Sequence, residues 1–235
     1  MNNLILGDGL LGSYFIESTG WDYISRSKNK FDFTDITTYQ NLLEGFDVII
    51  NCIANTNSYD ENKNAYWGVN YGGVVDLVDY CNLSGKKIVH VSSDYIYSHS
   101  NHFATEEDVP VHCKNWYGYT KLLADGYIEL KSNDFLMFRT SFKERNIDYK
   151  YAWMQFGNFD FVDVIGNIMI KLIKKDVSGV YNLGTDTKTL YDLFRQTNKN
   201  IKPTFELSHE STPSNVSMNL DKMKGILCGE INENN

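Results

Sequence analysis

Leu4-Ile5-Leu6-Gly7-Asp8-Gly9-Leu10-Leu11-Gly12 decides how this chain folds. Three apolar residues, too few for a helix, read as a short buried strand, and a G-x-G-x-x-G run leads straight into the apolar spacing of a helix. In that context each glycine has a steric reason. Gly7 permits the tight turn, Gly9 lets the backbone approach a pyrophosphate, and Gly12 lets the helix pack closely on the strand. Leu10 and Leu11 open the helix, whose N-terminal N–H groups face the same point. The fingerprint therefore predicts a dinucleotide site at Gly7, Gly9, Leu10, Leu11 and Gly12.

The rest of the chain repeats this alternation. Apolar runs at Asp22–Ser25, Phe46–Asn51, Lys87–Ser92, Phe135–Arg139 and Gly179–Asn182 read as strands. Helical stretches lie between them at Leu10–Ser18, Thr34 or Asp35 to Leu43, Asn62–Leu83, Lys114–Lys131 and Phe161–Lys174, and another follows at Thr189–Gln196. Continuous apolar strands separated by helices imply a parallel sheet covered on both faces. The predicted fold is α/β: a Rossmann-type doubly wound parallel sheet with a small, trimmed substrate lobe. Residues 1–141 plus 161–184 form the NAD(P)-binding domain, and 142–160 plus 185–235 form the lobe.

Composition narrows the function classes. The 235 residues carry a formal net charge of −8, which speaks against a nucleic-acid partner, since nothing would neutralise phosphates. No apolar run is long enough to span a bilayer, so no membrane role is expected. The N-terminal residues lack the pattern of a signal peptide, and cytoplasmic localisation is the expectation. Cys52, Cys81, Cys113 and Cys228 are widely spaced and read as reduced thiols. No Cys or His pair has zinc-ligand spacing, so no metal is expected.

Two further sites carry chemistry. Where the second strand ends, an acid would suit the ribose diol of NAD; this chain has Ser25-Arg26-Ser27-Lys28, whose cations suit a 2′-phosphate. NADP(H) is thus favoured over NAD(H), with Asp32 left to face the adenine edge. The other site combines Ser92-Ser93 at the end of the fourth strand with Tyr117-Gly118-Tyr119-Thr120-Lys121. Residues four apart share a helix face, so a cationic Lys121 would lower the pKa of Tyr117. The phenol then gives a proton to a carbonyl oxygen held by Ser93 as hydride arrives at carbon.

On these residues the chain resembles the extended short-chain dehydrogenase/reductases, closest to the dTDP-4-dehydrorhamnose reductase branch. Val91-Ser92-Ser93-Asp94-Tyr95-Ile96-Tyr97 is similar to its S-T-D-Y-V-F segment, and Arg139-Thr140-Ser141-Phe142 to its R-T-S-W. Asn51-Cys52-Ile53-Ala54 resembles N-C-A-A, Asn70 the V-N-x-x-G asparagine, and Asp32-Phe33-Thr34-Asp35 the D-I-T-D segment. The resemblance implies a catalytic set of Ser93, Tyr117 and Lys121. It implies cofactor contacts from Asp32, Phe33, Cys52, Ile53, Ala54, Asn70, Tyr117, Lys121 and Arg139, and substrate contacts from Ser92, Ser93, Asp94, Tyr95 and Phe142. The implied activity is NAD(P)H-dependent reduction of a 4-keto nucleotide sugar.

Phe142 departs from the branch's Trp, and only about 19 residues stand between Ser141 and the next helix where the branch has a longer insertion. Within them Lys143 and Arg145 are candidates to hold a diphosphate. The trimmed lobe leaves two alternatives: another nucleotide-sugar reaction such as epimerisation, and a non-catalytic NAD(P)-binding regulatory protein. A homodimer pairing the Asn62–Leu83 helix with the Tyr117 helix is a further expectation.

Overall fold

The computed structural model describes residues 1–59, 62–98, 102–108, 115–206, 209 and 211–228. Cys113 and Lys114 lie outside them. In chain order the elements are β1 (Asn3–Leu6), α1 (Leu10–Thr19), β2 (Asp22–Ile24), the single turn α2 (Arg26–Asn29), β3 (Val48–Asn51), α3 (Lys63–Tyr66), α4 (Gly73–Leu83), β4 (Lys87–Val91), α5 (Trp116–Lys131) and β5 (Phe135–Arg139). There follow the short strands β6 (Phe142–Lys143), β7 (Tyr151–Trp153), β8 (Phe156–Gly157) and β9 (Asp160–Phe161), then α6 (Val162–Lys174), β10 (Gly179–Asn182), β11 (Lys188–Thr189), α7 (Leu190–Phe194), β12 (Lys202–Thr204) and α8 (Asp221–Cys228).

Six strands form one parallel sheet in the order β10-β5-β4-β3-β1-β2. Order reverses between β1 and β3, and in such sheets ligands bind beyond the carboxyl ends of the strands at that switch. The strands are apolar on both faces because both faces are covered. Leu4, Leu6, Ile49 and Ile88 pack under α4 and α5, while Ile5, Ile50, Val89 and Leu136 pack under α1 and α6.

The expected α-helix before Leu43 is instead two 3₁₀ turns, Ile36–Thr38 and Gln40–Leu43, the first capped by Asp35. Thr37 and Thr38 hydrogen-bond Asp35, which rewards a local turn over a continuing helix. The expected helix over 62–83 forms with Asn62 as its cap, but a π-turn at Trp67–Gly72 interrupts it. That bulge carries Asn70.

The short strands of residues 142–161 and 188–204 form a separate small lobe. The pairs β6–β9, β7–β12 and β8–β11 enclose a separate apolar cluster of Ala152, Phe159, Phe161, Leu190, Leu193, Phe194 and Ile201. The segment after Val216 does not join them. Met218, Leu220 and Met223 pack in the main core, and Lys222 Nζ donates to the Val180 carbonyl of β10 at 2.7 Å. This part of the 185–235 stretch, assigned to the lobe from sequence, covers the sheet instead.

Candidate active site

The carboxyl ends of β1, β3, β4 and β5 open onto one groove of about 360 Å³. Gly9, Leu10 and Leu11 line one side, Cys52 and Ala54 the floor, and Ser92, Ser93, Asp94, Tyr95, Tyr117, Lys121, Phe142 and Lys143 the far side. At the near end Gly7 has φ +97°, open to glycine and strained for other residues. A Cβ on Gly12 would lie 2.1 Å from the Gly7 carbonyl, so the helix can sit this close only with hydrogen there. Gly9 caps α1 without a side-chain bond, and the first turn holds no acid. The free N–H groups at that end suit an anion.

At the end of β2, Ser25 is buried, and its Oγ accepts from the Lys28 N–H and contacts Ser27 Oγ at 2.8 Å. Ser25 therefore shapes the turn that presents Arg26, which is exposed. Lys28 turns away, with Nζ 3.9 Å from the centre of the Tyr23 ring. Sequence reasoning missed Asp8. The loop brings it against Ser27, and hydrogen bonds from Ser27 and Ser25 hold its carboxyl below the usual range. An acid thus does stand near the ribose end, supplied by the glycine loop rather than by β2.

The adenine-side expectations need correction. The Phe33 ring is buried against Tyr39, centroids 6.0 Å apart, where it fills the core and cannot flank a base. Asp32 commits Oδ1 to the Thr34 N–H and hydroxyl at 2.9 and 2.8 Å, capping its own turn. Ile53 leans on Gly7, and Asn70 is fully buried with its amide bonded both ways to the Asn55 backbone, at 2.8 and 3.1 Å. Neither side chain lines the groove; both fix the loop that does.

Arg139 is the largest correction. It is 1% exposed, bonded to Asp125 at 3.0 Å, Glu129 at 2.8 Å, the Tyr97 hydroxyl at 3.0 Å and the Glu106 carbonyl at 2.8 Å. Four of its five N–H donors are taken, so it ties β5 to α5 and to the loop after β4, and it is not among the residues lining the groove. The R-T-S-F segment does reach it, through Thr140, Ser141 and Phe142.

Ser93, Tyr117 and Lys121 all line the groove. Ser93 caps the 3₁₀ turn Asp94–Tyr97, accepting from the Tyr95 N–H at 3.1 Å. Asn115 caps α5 through the Gly118 N–H at 2.7 Å, which sets Tyr117 in the first turn above the groove. The Tyr95 ring meets Tyr117 edge-on at 5.9 Å.

The predicted tuning of Tyr117 by Lys121 is not what this structure holds. Burial pushes the phenol up to about 12, with only the Ser93 hydrogen bond acting downward. Lys121, 1% exposed, aims its Nζ at the Val91 carbonyl, 2.6 Å away, and at His90 Nε2, 3.1 Å away. Burial lowers its pKa to about 8. His90 and Asn51, behind it, were missed as site residues because a polar residue inside an apolar strand reads as a satisfied core group.

The substrate side carries two facing charges. Asp94 is 2% exposed, and burial raises its pKa to about 7 against the opposing pull of Lys143. Lys143 Nζ bonds Ser141 Oγ at 3.2 Å and is itself lowered by burial. Arg145, its companion in the sequence expectation, is turned outward in a bidentate pair with Asp163 at 2.9 and 2.6 Å.

With this geometry in place, likeness to known proteins becomes informative. The family model described as RmlD substrate binding domain matches residues 1–146. The chain is similar to the dTDP-4-dehydrorhamnose reductase of Mycobacterium tuberculosis, 30% identical over 94 residues, covering 38% of this chain and 31% of that protein. It is 27% identical over 138 residues to the one from Mycolicibacterium smegmatis, covering 55% and 40%. The matched stretches thus span less than half of these curated relatives. Among solved structures, a hypothetical dTDP-4-dehydrorhamnose reductase from Sulfolobus tokodaii superposes with a TM-score of 0.83 at 21% identity, over 96% of this chain and 94% of that one. The Bacillus anthracis reductase in complex with NADP gives 0.81 at 19%, over 96% and 91%. At such identity these structures establish the fold. The near-complete coverage also shows that the short lobe, which looks trimmed in sequence, is close in extent to that of the archaeal chain.

Proposed function

The chain belongs to the RmlD substrate binding domain family, and from that premise we propose that it reduces a 4-keto nucleotide sugar with a nicotinamide dinucleotide, as the names of its relatives suggest. One observation carries the reading: Ser93 and Tyr117 line the same groove as the glycine loop, with Lys121 beside them. A sugar carbonyl between them and a nicotinamide over Cys52 and Ala54 would be in reach of hydride and proton together.

Gly7–Gly12 and the α1 N-terminus would hold the pyrophosphate. The cofactor when bound supplies the hydride. Ser93 binds the carbonyl oxygen, Tyr117 delivers its proton as the alkoxide forms, and Lys121 is within a helical turn to meet the nicotinamide ribose. A phenol near 12 is a weak acid for this transfer. It suits late delivery to an oxygen already gaining charge, and a cation drawn toward it would strengthen it. Asp94 and Lys143 flank the substrate's side of the groove.

The reduction is tested by oxidation of NADPH and of NADH with dTDP-4-dehydrorhamnose. Turnover that requires the sugar supports the reading; cofactor binding without turnover on any 4-keto sugar favours the binding-only alternative. We further propose NADPH as the preferred donor, on exposed Arg26 at the end of β2. Asp8 is the observation that favours NADH, since an ionised acid suits a ribose diol. Arg26→Ala should weaken NADPH by about 1.5–3 kcal/mol and spare NADH. Equal loss for both would assign the choice to Asp8.

A further inference from the structure

Behind Lys121 runs a closed polar chain that the proposed chemistry does not use. Lys121 Nζ stands 3.1 Å from His90 Nε2, and His90 Nδ1 stands 3.2 Å from Asn51 Nδ2. Asn51 Oδ1 accepts from the Ile53 N–H at 3.0 Å. His90 is 0%, Asn51 1% and Lys121 1% exposed, so no water substitutes for a missing partner.

Donors and acceptors can be assigned from these contacts alone. The Ile53 N–H fixes the Asn51 amide, because only its oxygen can accept. Its nitrogen, a donor, therefore faces His90 Nδ1, which must be bare. A neutral imidazole then carries its proton on Nε2, pointing at Lys121. A lysine that receives this hydrogen must offer a lone pair, while one of its own hydrogens goes to the Val91 carbonyl. The opposite assignment, a charged lysine donating to a bare Nε2, puts hydrogen on Nδ1 against the Asn51 amide group. Relieving that clash means turning Asn51 over and orphaning the Ile53 N–H beside the cofactor loop.

We infer that His90 is a positioning residue: anchored by Asn51, it donates from Nε2 to Lys121 and holds that lysine as a neutral amine aimed at Val91, away from Tyr117. The inference rests on the reductase reading only through the role given to Lys121. Burial has already brought Lys121 down to about 8 against the opposing pull of Asp125 and Cys52, so a hydrogen received from His90 tips it to the neutral amine, and both opposing groups are weakened. Cys52, from the loop after β3, is a thiol pushed up to about 12 by burial and so uncharged. Asp125, one turn along α5, is bonded to Arg139 of β5. Burial lowers His90 well below its ordinary range, so it stays neutral. The consequence for the reaction is that Lys121 must take up a proton and leave His90 before it can act on Tyr117.

The tautomer is measured directly on the full chain labelled with ¹⁵N-histidine. The expected result is one histidine with hydrogen on Nε2 and a bare Nδ1, unchanged between about pH 6 and 8. Assignment comes from its loss in His90→Gln or, should that variant not fold, from its shift in Lys121→Met. Hydrogen on Nδ1, or an imidazolium, would overturn the proposal and make Lys121 the donor. A kinetic readout separates positioning from packing. His90→Leu should cut NADPH oxidation with dTDP-4-dehydrorhamnose about tenfold. His90→Gln, which restores an N–H donor, should recover to within about threefold, with NADPH affinity near wild type in both. Equal losses in the two variants, or losses that follow affinity, would reduce His90 to a packing residue. A wild-type protein without turnover would count against the reductase reading, and the nitrogen spectrum alone would then decide this one.

Discussion

The two sides of the groove are built on different principles. On the proposed cofactor side, Gly7, Gly9 and Gly12 matter through what they lack, which leaves backbone N–H groups open to a ligand. On the substrate side, Ser93, Asp94, Tyr117 and Lys143 act through side chains held by burial and by each other. A backbone site is encoded by contiguous residues with one steric requirement each. A side-chain site depends on which distant strands and loops meet, and on what burial does to each charge. Arg139 and Lys143 sharpen the contrast. Both stand near the end of β5, but one is buried and locks the scaffold while the other is half-buried and faces the groove.

That contrast can be broken by substitution. The largest effect is expected from Tyr117→Phe, which removes only the proton donor. Turnover should fall by about 10²–10⁴-fold with cofactor affinity near wild type, measured by stopped turnover assays and NADPH titration. A variant with near-normal kcat would show that Tyr117 is not the acid. Arg139→Met should cost about 3–5 kcal/mol of unfolding free energy in urea, because Asp125 is left buried and uncompensated. If it lowered NADPH affinity while stability held, Arg139 would belong to the cofactor side after all.

Asp94 gives a smaller, pH-dependent effect. Its pKa of about 7 in the fold stands above the 3.8 of an unfolded aspartate, so the fold disfavours the charged form. The relative stability present below the unfolded value is lost as pH rises toward 7. Asp94→Asn should therefore match wild type near pH 4 and be more stable near pH 8, by on the order of a few kcal/mol. A parallel loss at both pH values would mean that the carboxyl stabilises the fold by another contact. The smallest effect is expected from Arg145→Ala, whose pair with Asp163 is about two-fifths exposed and contributes under about 1 kcal/mol. Calorimetry with a dTDP-sugar should show Lys143→Ala weakening binding and Arg145→Ala leaving it alone; the reverse would exchange their roles.

Much of this is legible in the sequence alone. The alternation of strands and helices placed β5 and β10 to the residue, and Asn62 bounded its helix as expected. The spacing of Tyr117 and Lys121 put both on one helix face beside Ser93. Where the reading failed, two physical preferences competed. Asp35 with Thr37 and Thr38 hydrogen-bonds its own backbone, so a helical pattern became 3₁₀ turns. Phe33 and Arg139 sit in segments expected to touch the cofactor, but a ring finds apolar neighbours and a guanidinium finds carboxylates.

The sequence by itself determined the sheet, the glycine turn after β1 and the order along the chain of the groups that meet in the groove. These follow from local rules: apolar runs, glycine where no Cβ fits, and a four-residue spacing on a helix. Only the tertiary structure decided where the charges go. It set Asp8 beside Ser27, paired Arg139 with Asp125, turned Lys121 toward His90 and placed Lys143 opposite Asp94. Burial and partner geometry fix a charge's strength and direction, and both are properties of the packed chain rather than of any stretch of it.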